Sequence, residues 1–390
     1  MQPLRSTDIR ERNEKLILHL IYNRKSMSQS EVSAVTGLKP PTVFRIFSIL
    51  EEKGLIRSSD IEKDTGDKKG RKPVFFVLRP EAMYALGVDL WAQSAAVVLV
   101  DFTGKVIYKT VTSFTDAMKL HEVMNELCVL LDETLKTSGV EREKILGIGI
   151  GAPGVVDLQA GKVVSYSRID GMQNYNIREA LEERFGVPVH VHNNCSVIAL
   201  SSSRYGRLTG GGSLFAILIR SGVGGAFIQK GKAFVSDEKT ALEIGHVSMD
   251  MEGPVCSCGR RGCLESYISE DIILKELGAE SLAELSRILR EEPARARAVL
   301  EPKARLLAHV IRDIENLLGI HSFIVICRSK RLAAFLSEEA EKMVRETKAY
   351  GEDCGIIPVK YSPILAGKAA SDLVFEHFFN NSLGERHGRD

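Results

Sequence analysis

Twice along this chain, three apolar runs follow one another on short turns: YALGVDLWAQSAAVVLVDFTGKVIYKTVT (84–112) and SLFAILIRSGVGGAFIQKGKAFV (213–235). The runs are short, bounded by turn residues and rich in β-branched side chains, which marks them as strands. The first triplet leads into the amphipathic helix HEVMNELCVLLDETLKTSG (121–139) and the buried strand KILGIGIGAPGVVD (144–157), which ends in a Gly/Pro turn. Two halves that each open on a strand meander and continue into helix–strand units predict an internally duplicated α/β fold, with a cleft between two lobes. Ligands of such folds sit in that cleft, at the strand ends.

The segment ahead of the first meander has a different texture. Through Arg79 there are 16 Lys/Arg against 10 Asp/Glu, whereas the rest carries 36 against 41, so a basic head precedes a mildly acidic body. Such an imbalance suits a polyanionic partner, although a solvated helix face would produce it too. In EKLILHLIYN, Leu16, Ile17, Leu20 and Ile21 share a helical face. SMSQSEVSAVTGLKPPTVFRIFSILEEKGLI then reads as two more helices about a tight turn at Gly37. Ser28 and Glu31 make a capping box, Val32 and Val35 point inward, and Pro41 fits a first helical turn. Val43, Ile46, Phe47 and Leu50 form the buried stripe of the third helix, leaving Thr42, Arg45 and Ser48 outward. That is helix-turn-helix spacing, with the third helix offered to a major groove. LIRSSD and RKPVFFVLRP can pair as a hairpin whose tip carries Lys68, Lys69, Arg71 and Lys72, as a DNA-contacting wing would. A three-helix protein-interaction module is the other use of such a head. The expectation is a winged helix-turn-helix DNA-binding domain over 1–80 and a two-lobed domain over 81–390. One helix-turn-helix makes few contacts, so a homodimer or higher homo-oligomer on a palindromic double-stranded operator is expected.

Composition narrows the class. The 44% hydrophobic and 26% charged residues are those of an ordinary soluble globular protein. MQPLRSTDIRERNEK has no apolar signal core, and SAAVVLVDF is too short to cross a bilayer. Seven cysteines, odd in number and mostly scattered, make no secreted disulfide framework. A cytoplasmic protein is expected, without membrane contact.

Against that scatter, EIGHVSMDMEGPVCSCGRRGCLE gathers His246, Cys256, Cys258 and Cys263 into one loop. One imidazole and three thiolates form a soft, closed donor set suited to tetrahedral zinc, and Gly259 and Gly262 let the backbone fold about an ion. A disulfide or a redox sensor would use the same thiols. This stretch is similar to the signature of the ROK family (repressors, open reading frames and sugar kinases), with GIGAPGVVD and SGVGGAFIQKGK at its other landmarks. A winged helix-turn-helix ahead of such a body resembles the repressor branch. The resemblance implies an actin-like/ribonuclease H-like ATPase fold and a structural zinc ion on those four ligands. It also implies a sugar held by Glu243, His246 and Glu265, with a further pair from an Asn-Asp step, here Asn193 and Asn194 of VPVHVHNNCSVIAL.

The kinase chemistry of that family is interrupted in four places. The aspartate of the Asn-Asp step serves the family's kinases as general base, and Asn194 cannot take a proton. Their first phosphate turn, Asp-x-Gly-Gly-Thr, is Asp89-Leu90-Trp91-Ala92-Gln93 here, and the second, Gly-Thr-Gly-x-Gly-Gly, is RSGVGG, keeping Gly222, Gly224 and Gly225. Cys327-Arg328 replaces the usual Gly-Gly beside adenosine. The expected function is therefore a sugar-responsive repressor of carbohydrate metabolism that binds its effector without phosphorylating it. The alternatives are an active or bifunctional ROK sugar kinase and a scaffold governed by a protein partner.

Overall fold

The structure is a computed structural model and describes residues 6–59, 73–115, 118–205, 212–235, 242–346 and 354–380. The head comprises α1 (Ser6–Arg24), β1 (Met27–Ser28), α2 (Gln29–Thr36), α3 (Pro40–Glu52), β2 (Ile56–Ser59) and β3 (Phe75–Leu78). The capping box forms as expected: Glu31 N–H donates to Ser28 Oγ at 3.3 Å, and Ser28 N–H to Glu31 Oε2 at 2.8 Å. Gly37 closes α2 at φ +70°, and α3 starts on Pro40 and Pro41 and buries Val43, Ile46, Phe47 and Leu50. β2 and β3 pair antiparallel from Ile56↔Leu78 to Ser59↔Phe75. The two-residue β1, for which the sequence carries no signal, adds to the other side of β3. Two inward assignments are corrected. Val35 is 48% exposed because α2 buries Val32 alone, and Leu16 is 40% exposed while Leu18 is buried. α1 is covered on a second side by the last helix of the chain, which widens and turns its apolar face.

The body repeats one plan. Its first lobe contains β4 (Tyr84–Leu90), β5 (Ser94–Asp101), β6 (Val106–Ser113), α4 (Leu120–Ser138), β7 (Ile145–Ala152), β8 (Val155–Asp157), β9 (Lys162–Ser165), β10 (Gln173–Tyr175), α5 (Ile177–Phe185), β11 (Val189–Asn193) and α6 (Asn194–Tyr205). The second contains β12 (Leu214–Ile219), β13 (Val223–Gln229), β14 (Lys232–Ala233), α7 (Glu265–Ile268), α8 (Glu270–Leu277), α9 (Leu282–Glu291), α10 (Pro293–Leu318), β15 (Ser322–Cys327), α11 (Lys330–Glu346) and β16 (Gly355–Lys360). The main sheets run β11-β7-β4-β5-β6 and β14-β13-β12-β15-β16. In each, an antiparallel meander starts on the central strand and two parallel strands extend the other side. The orders match strand for strand, as duplication requires.

α12 (Pro363–Asn380) leaves the second sheet and lies on the first, against β4, β5 and β7. Small residues allow this: a Cβ on Gly87 would stand 1.9 Å from the Gly367 carbonyl oxygen, and one on Gly149 1.8 Å from that of Ala370. Beyond the sheet, Phe375 and Phe379 join Phe102, Ile17 and Phe47 in one continuous core, and Phe379 stacks on His19 of α1 at 5.0 Å. Among the described residues, no helix is long and apolar enough to cross a membrane.

Candidate functional site

Between the lobes, at the strand ends, lies a cavity of about 220 Å³. Asn193, Asn194, Glu243, His246 and Glu265, the five residues expected at a sugar, all line it. They do so in different ways. Asn193 is committed to the fold: its Oδ1 accepts the Cys195 N–H at 2.9 Å, capping α6, and its Nδ2 donates to the Gly154 carbonyl at 2.9 Å. Asn194 is 4% exposed, and its Nδ2 has no partner among the described residues. A buried amide left unpaired costs about 1–3 kcal/mol, which a ligand hydroxyl accepting from it would recover. Glu265 accepts the Val223 N–H at 2.9 Å and so fixes the glycine turn after β12. Burial raises the pKa of Glu243, with His246 lowering it and Glu265 raising it. Two carboxylates and an amide facing one cavity can hold a run of adjacent hydroxyls by directional hydrogen bonds.

The loop behind Glu243 and Glu265 brings the four soft donors together. One ligand atom from each of His246, Cys256, Cys258 and Cys263 lies within 4.8 Å of all the others. His246 Nδ1 is 3.6 Å from Cys256 Sγ, and Cys258 Sγ is 3.7 Å from Cys263 Sγ. Thiolates about 2.3 Å from a tetrahedral zinc would stand roughly 3.8 Å apart, so the set is compatible with that ion. The loop is tight: Gly259 and Gly262 sit at φ +86° and +65°, and a Cβ on Gly262 would meet the Asp250 carbonyl oxygen at 1.7 Å. His246 and Cys258 also line the cavity, so the cluster forms part of its wall.

At the Trp91 side of the cleft, side-chain contacts join the two lobes. Trp91, 8% exposed, follows β4 and donates Nε1–H to both oxygens of Asp89 at 3.0 and 3.1 Å. Tyr361, following β16 of the other lobe, donates its hydroxyl to Asp89 as well. Arg220, at the end of β12, lies over the Trp91 ring at 3.7 Å and the Tyr361 ring at 4.4 Å. Burial pushes the Asp89 carboxyl up to about 6, opposed by Tyr361, Arg220 and Trp91. Arg168 makes a second bridge across the cleft, to the Ser221 carbonyl and, at 3.2 Å, to Asp271 of α8. Beside it, Arg328 is held by the buried Glu270 at 2.5 Å. The indole of Trp91 thus stands in the turn after β4, where glycines would let backbone N–H groups approach a phosphate. Sequence reasoning found Trp91 but missed Arg168, Arg220 and Tyr361. Arg220 and Tyr361 directly follow β12 and β16, and that position at strand ends is the signal that could have marked them.

On the head, Thr42, Arg45 and Ser48 are exposed on one side of α3, as expected for a groove-facing surface. Phe44, not expected there, is 61% exposed on the same helix. Lys68, Lys69, Arg71 and Lys72 lie outside the described residues.

Comparison with known proteins bears on both parts. Residues 85–357 match the ROK family, and residues 11–68 match the MarR family. The xylose repressor of Caldicellulosiruptor bescii is 28% identical over 269 residues, covering 69% of this chain and 66% of that protein. A solved ROK family transcriptional regulator, a homolog of the E. coli MLC protein, superposes with a TM-score of 0.79 at 19% identity, covering 95% of this chain and 98% of that one. A Streptomyces griseus ROK glucokinase bound to glucose and AMPPNP superposes with a TM-score of 0.64 at 20% identity, covering 74% of this chain and 98% of the kinase.

Proposed function

Because the chain belongs to the ROK family, we propose that it is a sugar-responsive transcriptional repressor that binds its effector in the interlobe cavity and transfers no phosphoryl group. The observation that carries this reading is a contrast within one cleft. The sugar side keeps a cavity with an unpartnered buried amide at Asn194 and carboxylates at Glu243 and Glu265, whereas the other side has Trp91 in place of a glycine turn, tied across the cleft through Asp89 and Tyr361. Phosphoryl transfer rests almost wholly on positioning the phosphates, and general-base help is typically worth about 10²–10⁴ in rate. This chain lacks the first glycine turn that would cradle a nucleotide's phosphates and a residue to act as the base. The winged-helix head and the related xylose repressor support a DNA operator as the output.

In this reading residues 1–80 bind DNA through Thr42, Arg45 and Ser48 and a wing bearing Lys68, Lys69, Arg71 and Lys72. Residues 81–390 sense sugar through Asn193, Asn194, Glu243, His246 and Glu265. One zinc ion per chain, on His246, Cys256, Cys258 and Cys263, holds the loop that carries the two glutamates. Four protein ligands leave no open position for water, so its work is structural. Two copies read a palindromic operator. The test is thermal unfolding of the full chain with a panel of monosaccharides and disaccharides, paired with operator binding at fixed salt. A cognate sugar should raise the unfolding temperature by mass action and change operator affinity, and Glu243→Ala should abolish both. Turnover of ATP at an ordinary enzymatic rate with any sugar would restore the kinase.

A further inference from the structure

On the Trp91 side of the cleft one guanidinium has N–H groups without acceptors. Arg220 is 5% exposed, and its Nε and Nη1 have no hydrogen-bond partner among the described residues. The Trp91 and Tyr361 rings attract its guanidinium face-on but accept nothing from the N–H groups in its plane. The nearby carboxylate, Asp89, spends its oxygens on Trp91 and Tyr361 instead. An arginine cannot escape by losing its proton, so buried guanidinium N–H groups without acceptors are best met by an anion.

Arg220 lines a second cavity, of about 210 Å³, together with Trp91, Gln93, Tyr166, Arg168 and Ser221. Trp91, Tyr166, Arg168 and Ser221 line the first cavity as well, so the two adjoin. Among the described residues no carboxylate lines the second one. Arg168 is already paired with Asp271, whereas the Nε and Nη1 of Arg220 still lack an acceptor.

We propose that the second cavity is an anion subsite and that the effector is a sugar carrying a phosphate or carboxylate group. The ring occupies the first cavity and the charged substituent meets Arg220. A guanidinium offers a planar fork that both groups accept from in bidentate fashion. This inference rests on the sugar-sensing reading and narrows its ligand to anionic sugars. It also makes Arg220 the residue that separates these from their neutral parents.

The test is calorimetry on the full chain with matched sets: xylose, glucose and N-acetylglucosamine, each against its terminal phosphate ester and, for glucose, glucuronate. Inorganic phosphate alone is titrated in parallel. At least one anionic member should bind roughly tenfold or more tighter than its neutral parent. That advantage should vanish in Arg220→Gln and survive in part in Arg220→Lys. Preference for the ester alone assigns the subsite to phosphate, and equal preference for ester and uronate assigns it to anions in general. Neutral sugars that bind as tightly as their anionic partners overturn the subsite and leave the sugar sensor standing. Inorganic phosphate binding lost in Arg220→Gln supports the subsite even where no sugar of the panel binds. Absence of any binding, by sugar or by phosphate, overturns both. The comparison within the unmodified protein holds whether or not Arg220→Gln folds.

Discussion

Asp89 is a carboxylate whose setting has overtaken its charge. It is 2% exposed and raised to about 6 chiefly by burial, above the 3.8 of a free side chain. A folded-state value above the unfolded one favours the protonated form. The stabilising contribution of Asp89 is therefore complete below about pH 4 and is lost as pH rises through about 6. His190 and His192 act in the opposite sense. Burial lowers them to about 3 and 4, so their contributions are present above about pH 6.5 and are lost as pH falls. Comparing Asp89→Asn with the parent cancels the histidines: the unfolding temperature of the variant should gain on the parent between about pH 4 and 6 and level off above it. A constant difference across that range would show that Asp89 does not titrate there. Asn194→Asp restores a base without restoring a nucleotide seat, and ATP turnover with any sugar should stay at background in a coupled assay. The His/Cys cluster and the two glutamates were legible because they crowd into one short segment whose spacing carries the chemistry. Arg220 and Tyr361 were not, since their meaning comes from meeting Trp91 and Asp89 across the cleft, far away in sequence.

Among the elements, α3 and the loop over 246–263 carry separable roles. Arg45 stands exposed on α3, apart from the stripe that holds the helix in place. Arg45→Ala should therefore leave the unfolding temperature unchanged and cost about 1–3 kcal/mol of discrimination at one base pair, read by competition with mutated operators. An equal loss on every sequence would make Arg45 a phosphate contact instead. In the loop, Cys258→Ser should bring the zinc content of the purified protein well below one per chain and lower its unfolding temperature, with sugar affinity falling too as Glu243 and Glu265 lose their support. Elemental analysis finding no zinc in the unmodified protein would remove that role. Caps and stripes made α2 and α3 readable in advance, because the residues that define them are neighbours in the chain. Leu16 and Val35 were misplaced for the complementary reason: a helix alone does not say which of its sides will be covered.

For the molecule as a whole, the repeated meander disclosed two lobes and their cleft, but nothing in PILAGKAASDLVFEHFFN announced that α12 would cross to the other lobe. That crossing has a thermodynamic consequence. α12 begins two residues after Tyr361, which closes the cleft, and ends among the aromatic side chains that pack on α1 of the head. α12 thus runs from the edge of the cleft to the base of the head. Any free energy that the effector puts into operator affinity must come back, by linkage, as the same factor in effector affinity when the operator is bound. If saturating sugar weakens operator binding thirtyfold, saturating operator must weaken sugar binding by about thirtyfold, or about 2 kcal/mol. Titrating sugar with and without operator measures the second factor independently of the first. Phe379→Ala, which removes the ring stacked on His19, should bring both factors toward one together while leaving each ligand able to bind alone.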